Sequence, residues 1–236
     1  MEIENIVSKL KVDGFCVIPQ YGNLQKLEAL KTSLLSTIDH QQKLKSNDAN
    51  FLVVQDPFYT CPVSLELACD NFIREIAERY LNKPVFLGTC NLRRSKLTTA
   101  PPTSTNLFHL DENCGKGVRL IKAFYYLNDV DVHGGPFEYI RGSHVDRMPH
   151  WESKIRWTDQ EIYSHYGEDR SVKLTANYGD LILADTTGYH RGLQVRSRHR
   201  DMLTINYVTQ LELERCIIRV ADSELHPTLL KESLRR

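Results

Sequence analysis

The stretch RLIKAFYYLNDVDVHGGPFEYIRGSH, residues 119–144, decides the fold. Its first ten residues are rich in aromatic and branched side chains and read as a strand over roughly 119–128. Asn128-Asp129 and Gly134-Gly135-Pro136 punctuate it, and 136–140 reads as a second short strand ending at a Gly-Ser-His turn. Working outward, the same texture recurs at roughly 85–93, 107–111, 172–175, 180–184 and 201–210. Short strands at that spacing predict an antiparallel sandwich or barrel.

Upstream, Asp13-Gly14 turns into the short strand Phe15-Cys16-Val17-Ile18, closed by Pro19. Asn23 then caps a helix whose Leu24, Leu27, Leu30, Leu34, Leu35 and Ile38 recur at three- and four-residue steps. A second helix is expected over roughly 64–81, with Phe72, Ile73, Ile76, Ala77, Tyr80 and Leu81 as its buried face and Asn82-Lys83-Pro84 as its stop. Two helices therefore precede the strands. Thr158 and Glu161 form a capping-box pattern for a helix inserted among them. The segment 94–106, with two prolines and no periodicity, reads as a long loop, and with 145–170 it is expected to form the mouth of a site. No linker is visible, so one domain is expected over 1–236: helical support at 1–84, a β core at 85–211, and a tail or helix at 212–236.

A chain of 236 residues lies in the range of about 200–250 that sandwiches and barrels occupy as one domain. Apolar residues at 41% and charged residues at 25% exclude a disordered chain. Thirty Lys and Arg against thirty Asp and Glu leave no global field for nucleic acid or an anionic membrane, so any anion site is local. The start MEIENIVSKLK lacks an apolar run, and the longest such runs, FLVV at 51–54 and AFYYL at 123–127, are too short to span a bilayer. The cysteines (Cys16, Cys61, Cys69, Cys90, Cys114, Cys216) form no CxxC pair, which points to reduced thiols in a cytoplasmic protein.

His109-Leu110-Asp111 brings in chemistry. Within a strand, residues two apart point the same way, about 7 Å from one another. An imidazole nitrogen and a carboxylate oxygen so placed can share one metal ion, although the pair alone reads first as a surface or hydrogen-bonded pair. Two later stretches add to it: GGPFEYIRGSH at 134–144, and DTTGYHRG at 185–192 directly after the strand ending at Ala184.

Together these motifs resemble the phytanoyl-CoA dioxygenase-like family of iron(II)- and 2-oxoglutarate-dependent oxygenases. In that family a cupin-like jelly-roll core, the double-stranded β-helix, carries His-x-Asp, a YL-x-D … GP … GSH segment, a distal histidine, and an arginine about ten residues later. The resemblance covers roughly 85–210 and the DGF-x-VIP start at 13–19. It implies a mainly β fold with flanking helices. It also implies that His109, Asp111 and His190 form a two-histidine, one-carboxylate facial triad, at once the metal ligands and the catalytic centre, leaving positions on iron for a 2-oxo acid and O₂. His190 lies 81 positions beyond His109, room enough for the intervening strands, whereas His144, at 35, is read as a turn histidine.

The resemblance further implies Arg200, ten positions beyond His190, as the clamp for the C5 carboxylate of 2-oxoglutarate. Thr204 shares its strand face and can add a hydroxyl, while Arg196 and Arg198 are read as a solvated turn. Phe124 takes the place of an aromatic that flanks the cosubstrate and reads equally as a core aromatic, and Asn91 and Arg93 share a pocket-facing side of the strand 85–93. The implied activity couples decarboxylation of 2-oxoglutarate, giving succinate and CO₂, to oxidation of a small metabolite or natural-product intermediate. Asp111 stands where related halogenases have Gly or Ala, so hydroxylation or another oxidation is expected rather than halogenation. Nothing in the chain reads an acyl-CoA, no nucleic-acid or membrane partner is expected, and oligomeric state is not legible. A non-oxygenase alternative keeps the fold: a cupin-like metal isomerase, or a jelly-roll module that binds a small ligand and needs neither Arg200 nor a 2-oxo acid.

Overall fold

In the computed structural model, which describes residues 2–39, 49–111, 119–209 and 218–219, the alternation along β4 (Leu120–Tyr126) generates both layers of the core. Ile121, Ala123 and Tyr125 face a helical layer, whereas Phe124 and Tyr126 face a second sheet. The remaining strands are β1 (Phe15–Ile18), β2 (Phe51–Gln55), β3 (Phe86–Ser95), β5 (Phe137–Ile140), β6 (Ser171–Leu174), β7 (Leu181–Ala184), β8 (His190–Gly192), β9 (Arg200–Val208) and β10 (Ile218–Arg219). Among the described residues the larger sheet runs β1-β7-β4-β9-β3-β10, with β2 also on β3, and the smaller runs β6-β5-β8. Among the described residues these strands pair antiparallel throughout. This is a jelly roll with flanking helices.

The helices α1 (Ile3–Asp13), α2 (Leu24–Asp39), α3 (Val63–Ala68) and α4 (Asn71–Leu81) cover the outer face of the larger sheet. Ile6 and Leu10 of α1, Leu27, Leu30 and Leu34 of α2, and Ile73, Ile76 and Ala77 of α4 are all fully buried there. Each such large side chain contributes about 1.5–3 kcal/mol. The helix-covered face thus carries most of the apolar stabilisation, and the opposite face is left free to hold polar groups.

The N-terminal region departs from the expectation of two helices. α1 is an additional helix, and the helix expected over 64–81 is two. Asp70 divides it: its carboxylate accepts from the Phe72 and Ile73 amides at 2.9 and 3.2 Å, starting α4 afresh after α3 ends. Asn82, at φ +53°, stops α4 as expected. Gly14 caps α1 at φ +86°, and a Cβ there would run into the Tyr139 ring. Only glycine lets the chain turn so tightly into β1. The capping box of Thr158 and Glu161 starts α5 (Asp159–Tyr166) as the sequence indicates.

Two further differences concern strands. FLVV is not only an apolar run but β2, paired with β3. The strand expected at 107–111 is reduced to isolated bridges, Phe108 to Trp157 and His109 to His190. The tail or helix expected at 212–236 falls outside the described residues except at 218–219, which form a strand on β3. Cys16, Cys61, Cys69 and Cys90 are free thiols, whereas Cys114 and Cys216 lie outside the described residues. Among the described residues no helix is long and apolar enough to cross a membrane.

Candidate metal centre

His109 and His190 are joined through their own backbones. The His109 N–H donates to the His190 carbonyl at 3.0 Å, and the His190 N–H donates back at 3.1 Å. Each ring is then fixed locally. Nδ1 of His109 lies 2.8 Å from the Leu107 carbonyl and Nδ1 of His190 2.9 Å from that of Gly188. A ring whose Nδ1–H is donated to a carbonyl presents the Nε2 lone pair on its other side. The two ring centroids are 4.2 Å apart.

Asp111 lies past the bridge rather than in a strand. Its N–H donates to the Thr186 carbonyl at 2.8 Å, which hangs it from the turn of the DTTGYH stretch. That turn is braced from below by the buried Asp185, which accepts from Tyr80 Oη at 2.6 Å and from Thr187 Oγ1 at 2.6 Å. Asp185 is therefore structural, although its motif also carries His190.

The three groups converge. Their ligand atoms all lie within 4.8 Å of one another. His190 Nε2 is 3.2 Å from Asp111 Oδ2, and His109 Nε2 is 3.8 Å from Asp111 Oδ1. Ligand atoms about 2.0–2.2 Å from one ion sit about 3 Å apart when adjacent. Asp111 Oδ2 is fully covered and has Lys122 Nζ at 2.6 Å, yet no donor is aligned on it as a hydrogen bond. A shielded carboxylate oxygen left so, between two lone-pair nitrogens, fits a divalent cation.

Electrostatics favour the same conclusion. Burial, together with the neighbouring His190, pulls the His109 pKa down to about 3, so the ring is neutral and ligand-competent at neutral pH. Burial opposes ionisation of Asp111, but the Lys122 ammonium and the two histidines outweigh it and hold the carboxyl well below the usual range.

The residues expected to hold a cosubstrate share the cavity with the triad: Asn91, Phe124, Arg200 and Thr204 all line it. Cross-strand register explains the grouping, since Asn91 and Phe124 both pair with Thr204, and Ser95 pairs with Arg200. Arg200 is 2% exposed. Its Nη1 donates to the Gly135 carbonyl and its Nη2 to Ser95 Oγ at 3.0 Å, while Nε has no partner. None of the ion pairs among the described residues includes it, and burial depresses its pKa. Gly192 leaves it room, because a Cβ there would come within 2.9 Å of Nη2.

Other expectations fare differently. The segment 94–106 supplies Thr105 to the cavity wall, but 145–170 supplies none of the lining residues. It packs instead behind the smaller sheet, where Trp157, Ile162 and Tyr166 meet Phe108 and Tyr189. His144 sits in its turn near the Lys11 carbonyl, apart from the triad. Arg191 alternates outward from His190, to Glu138 at 2.5 Å and Asp159. A wide groove of about 680 Å³ opens on that outer face, but its buried charges are satisfied by one another. Phe137, 5.3 Å from the His190 ring centroid and 4.8 Å from that of Phe124, and Lys122 complete the cavity. Neither was singled out from sequence. Lys122 stands on the same strand face as Phe124, a signal present but not used.

A jelly roll that brings two histidines and a carboxylate together beside a buried, acid-free arginine has the design of a metal- and 2-oxo-acid-dependent oxygenase-type enzyme. The model of the phytanoyl-CoA dioxygenase family matches residues 10–202, and the chain belongs to that family. No curated protein sequence matches it. Among solved structures, the non-heme alpha-ketoglutarate-dependent epimerase SnoN from nogalamycin biosynthesis superposes with a TM-score of 0.71 at 15% identity, over 87% of this chain and 82% of that one. The iron-bound EctD from S. alaskensis gives 0.67 at 19% identity, over 90% and 79%. HygX from Streptomyces hygroscopicus, with nickel and 2-oxoglutarate bound, gives 0.64 at 18% identity, over 86% and 85%. At these identities the likeness is one of fold.

Proposed function

We propose that this chain is an iron(II)- and 2-oxoglutarate-dependent dioxygenase that oxidises a small organic molecule, in the simplest case by hydroxylation, and releases succinate and CO₂. One observation carries the reading: a buried guanidinium lacking any acid partner among the described residues shares a cavity with a three-ligand set. In this reading His109, Asp111 and His190 are the catalytic metal ligands. Arg200 receives the far carboxylate of the cosubstrate, with the Thr204 hydroxyl, the Asn91 amide and the Phe124 ring beside it. When bound, iron supplies the activation of O₂ that decarboxylation of the 2-oxo acid drives.

The protein's own part is positional. The Leu107 and Gly188 carbonyls keep both rings in one tautomer. Ser95 and Gly135 hold the Arg200 fork in place before the diacid arrives. Phe124, Phe137 and Met202 keep water from one wall. A cupin-like isomerase or plain binding module would not need the buried arginine. A single domain, a small-molecule partner and a cytoplasmic setting belong to the same proposal.

Anaerobic addition of Fe(II) and 2-oxoglutarate should produce a weak visible charge-transfer band, and admission of O₂ with a panel of amino acids, acyl thioesters and secondary metabolites should release succinate. Product analysis then separates hydroxylation from ring closure or epimerisation. Absence of both band and succinate overturns the reading.

A further inference from the structure

Lys122 is a charged wall residue to which the proposed reaction gives no task. Three cations, Arg93, Lys122 and Arg200, line the cavity against one carboxylate, Asp111, among the described residues. The Lys122 side chain is only 17% exposed, and the acid it pairs with, at 2.6 Å, is the one that would hold the metal. Register places it opposite Asn206 on β9, six residues beyond Arg200, or about 20 Å along the strand. The Phe124 and Thr204 row lies between the two ends. Beside Lys122, Asn206 Nδ2 donates to Thr89 Oγ1 at 2.5 Å, and its buried Oδ1 has no partner. The end of the sheet remote from Arg200 is therefore polar and incompletely matched.

Charge balance says what would match it. A divalent ion, the Asp111 carboxylate, a doubly charged 2-oxo acid and the Arg200 guanidinium cancel one another. Among the described residues Lys122 is then an extra positive charge on a largely shielded wall. A shielded charge without a counter-charge is costly. Resting on the oxygenase reading above, we infer that Lys122 recognises a carboxylate on the organic substrate, so that the enzyme acts on small organic acids. The ammonium is a compact point charge, and the single negative charge of a carboxylate balances it without the excess that a doubly charged phosphate would leave.

The test uses full-length protein loaded with Ni(II) and N-oxalylglycine, which cannot turn over, and calorimetric titration with acetate, hexanoate and benzoate and with their neutral amides. At least one acid should bind ten or more times more tightly than its amide. With Ni(II) held in saturating excess, because the variant also removes a partner of Asp111, Lys122→Met should abolish that preference while leaving N-oxalylglycine affinity within threefold, and Lys122→Arg should restore part of it. The inference falls if no acid outbinds its amide, if the preference survives in Lys122→Met, or if that variant loses N-oxalylglycine tenfold instead, which would assign the lysine to the cosubstrate. Should Lys122→Met not fold, Lys122→Gln replaces it, and the wild-type comparison of acids with amides still decides. Failure of the wild type to bind N-oxalylglycine would overturn the oxygenase reading itself, an outcome distinct from failure of the acids alone.

Discussion

Replacing Arg200 by methionine, which has similar reach and no charge, separates what the guanidinium does for the fold from what it does for a ligand. On the ligand side, one charge-assisted hydrogen bond is worth about 1.5–3 kcal/mol, which converts to about 10–150-fold in affinity. Arg200→Met should therefore weaken N-oxalylglycine binding to the Ni(II) protein by at least about tenfold if one such bond is lost, and by more than about a hundredfold if the fork makes two. On the folding side, the variant removes a group that is 2% exposed and has no counter-ion among the described residues, which favours the native state. Against that, the Gly135 carbonyl loses its donor, at about 1–3 kcal/mol. The two nearly cancel, and since 1 kcal/mol moves Tm by about 2–4 °C in a domain of this size, the metal-free variant should melt within a few degrees of the wild type. Calorimetric titration and differential scanning calorimetry read the two sides. Binding within threefold of the wild type would refute the clamp, and a melting temperature more than about 10 °C lower would make the guanidinium a structural brace instead.

Asp111→Asn keeps the shape of the side chain but removes its charge; losing even an outer-shell partner of a ligand costs about 10–100-fold in metal affinity, so this change should cost at least about a hundredfold, read by competition with a metallochromic dye. Metal-free protein should lose stability as pH falls below the unfolded histidine value of 6.5, because unfolded His109 takes up a proton that the buried ring refuses until about pH 3. The loss runs at about 1.4 kcal/mol per pH unit and reaches about 2 kcal/mol by pH 5; Asp111, depressed below its usual value, adds its share only at still lower pH. Urea denaturation at pH 7.5 and 5 measures it, and an unchanged pH slope in His109→Gln counts against the assignment. Gly14→Ala should destabilise by at least about 2 kcal/mol through left-handed strain and collision with Tyr139, and a urea midpoint equal to that of the wild type would contradict the turn geometry described.

Where a segment was long and periodic, the sequence was enough. α2, the α4 half of the second helix, β4 and β9 follow from apolar spacing, and the Thr158 and Glu161 pair announced α5. What escaped was set by contacts from afar. β8 is three residues long and exists because β5 pairs with it. α1 carries a helical stripe, Ile3, Ile6, Val7 and Leu10, which the lack of a longer apolar run conceals. The single-helix expectation over 64–81 overlooked a short acid able to take two amides at once. At the site, motif and spacing pointed to three residues that converge and to an arginine that shares their cavity, but not to Phe137 and Lys122. Their meaning depends on His190 and Asp111, which neither spacing nor periodicity connects to them.

The reciprocal amide pairing of His109 and His190 sets the separation of the two imidazoles directly, so the eighty positions between them act on it only where β5 pairs with β8 and where Trp157 and Tyr166 pack on Phe108 and Tyr189. Each ring is steered by a carbonyl two places earlier in its own segment, so no distant loop takes part in aiming it. An exposed stretch such as 152–155 can be lengthened, trimmed or exchanged while the two nitrogens keep their spacing. An architecture wired in this way can acquire new specificities by remodelling its periphery, with its reactive centre left undisturbed.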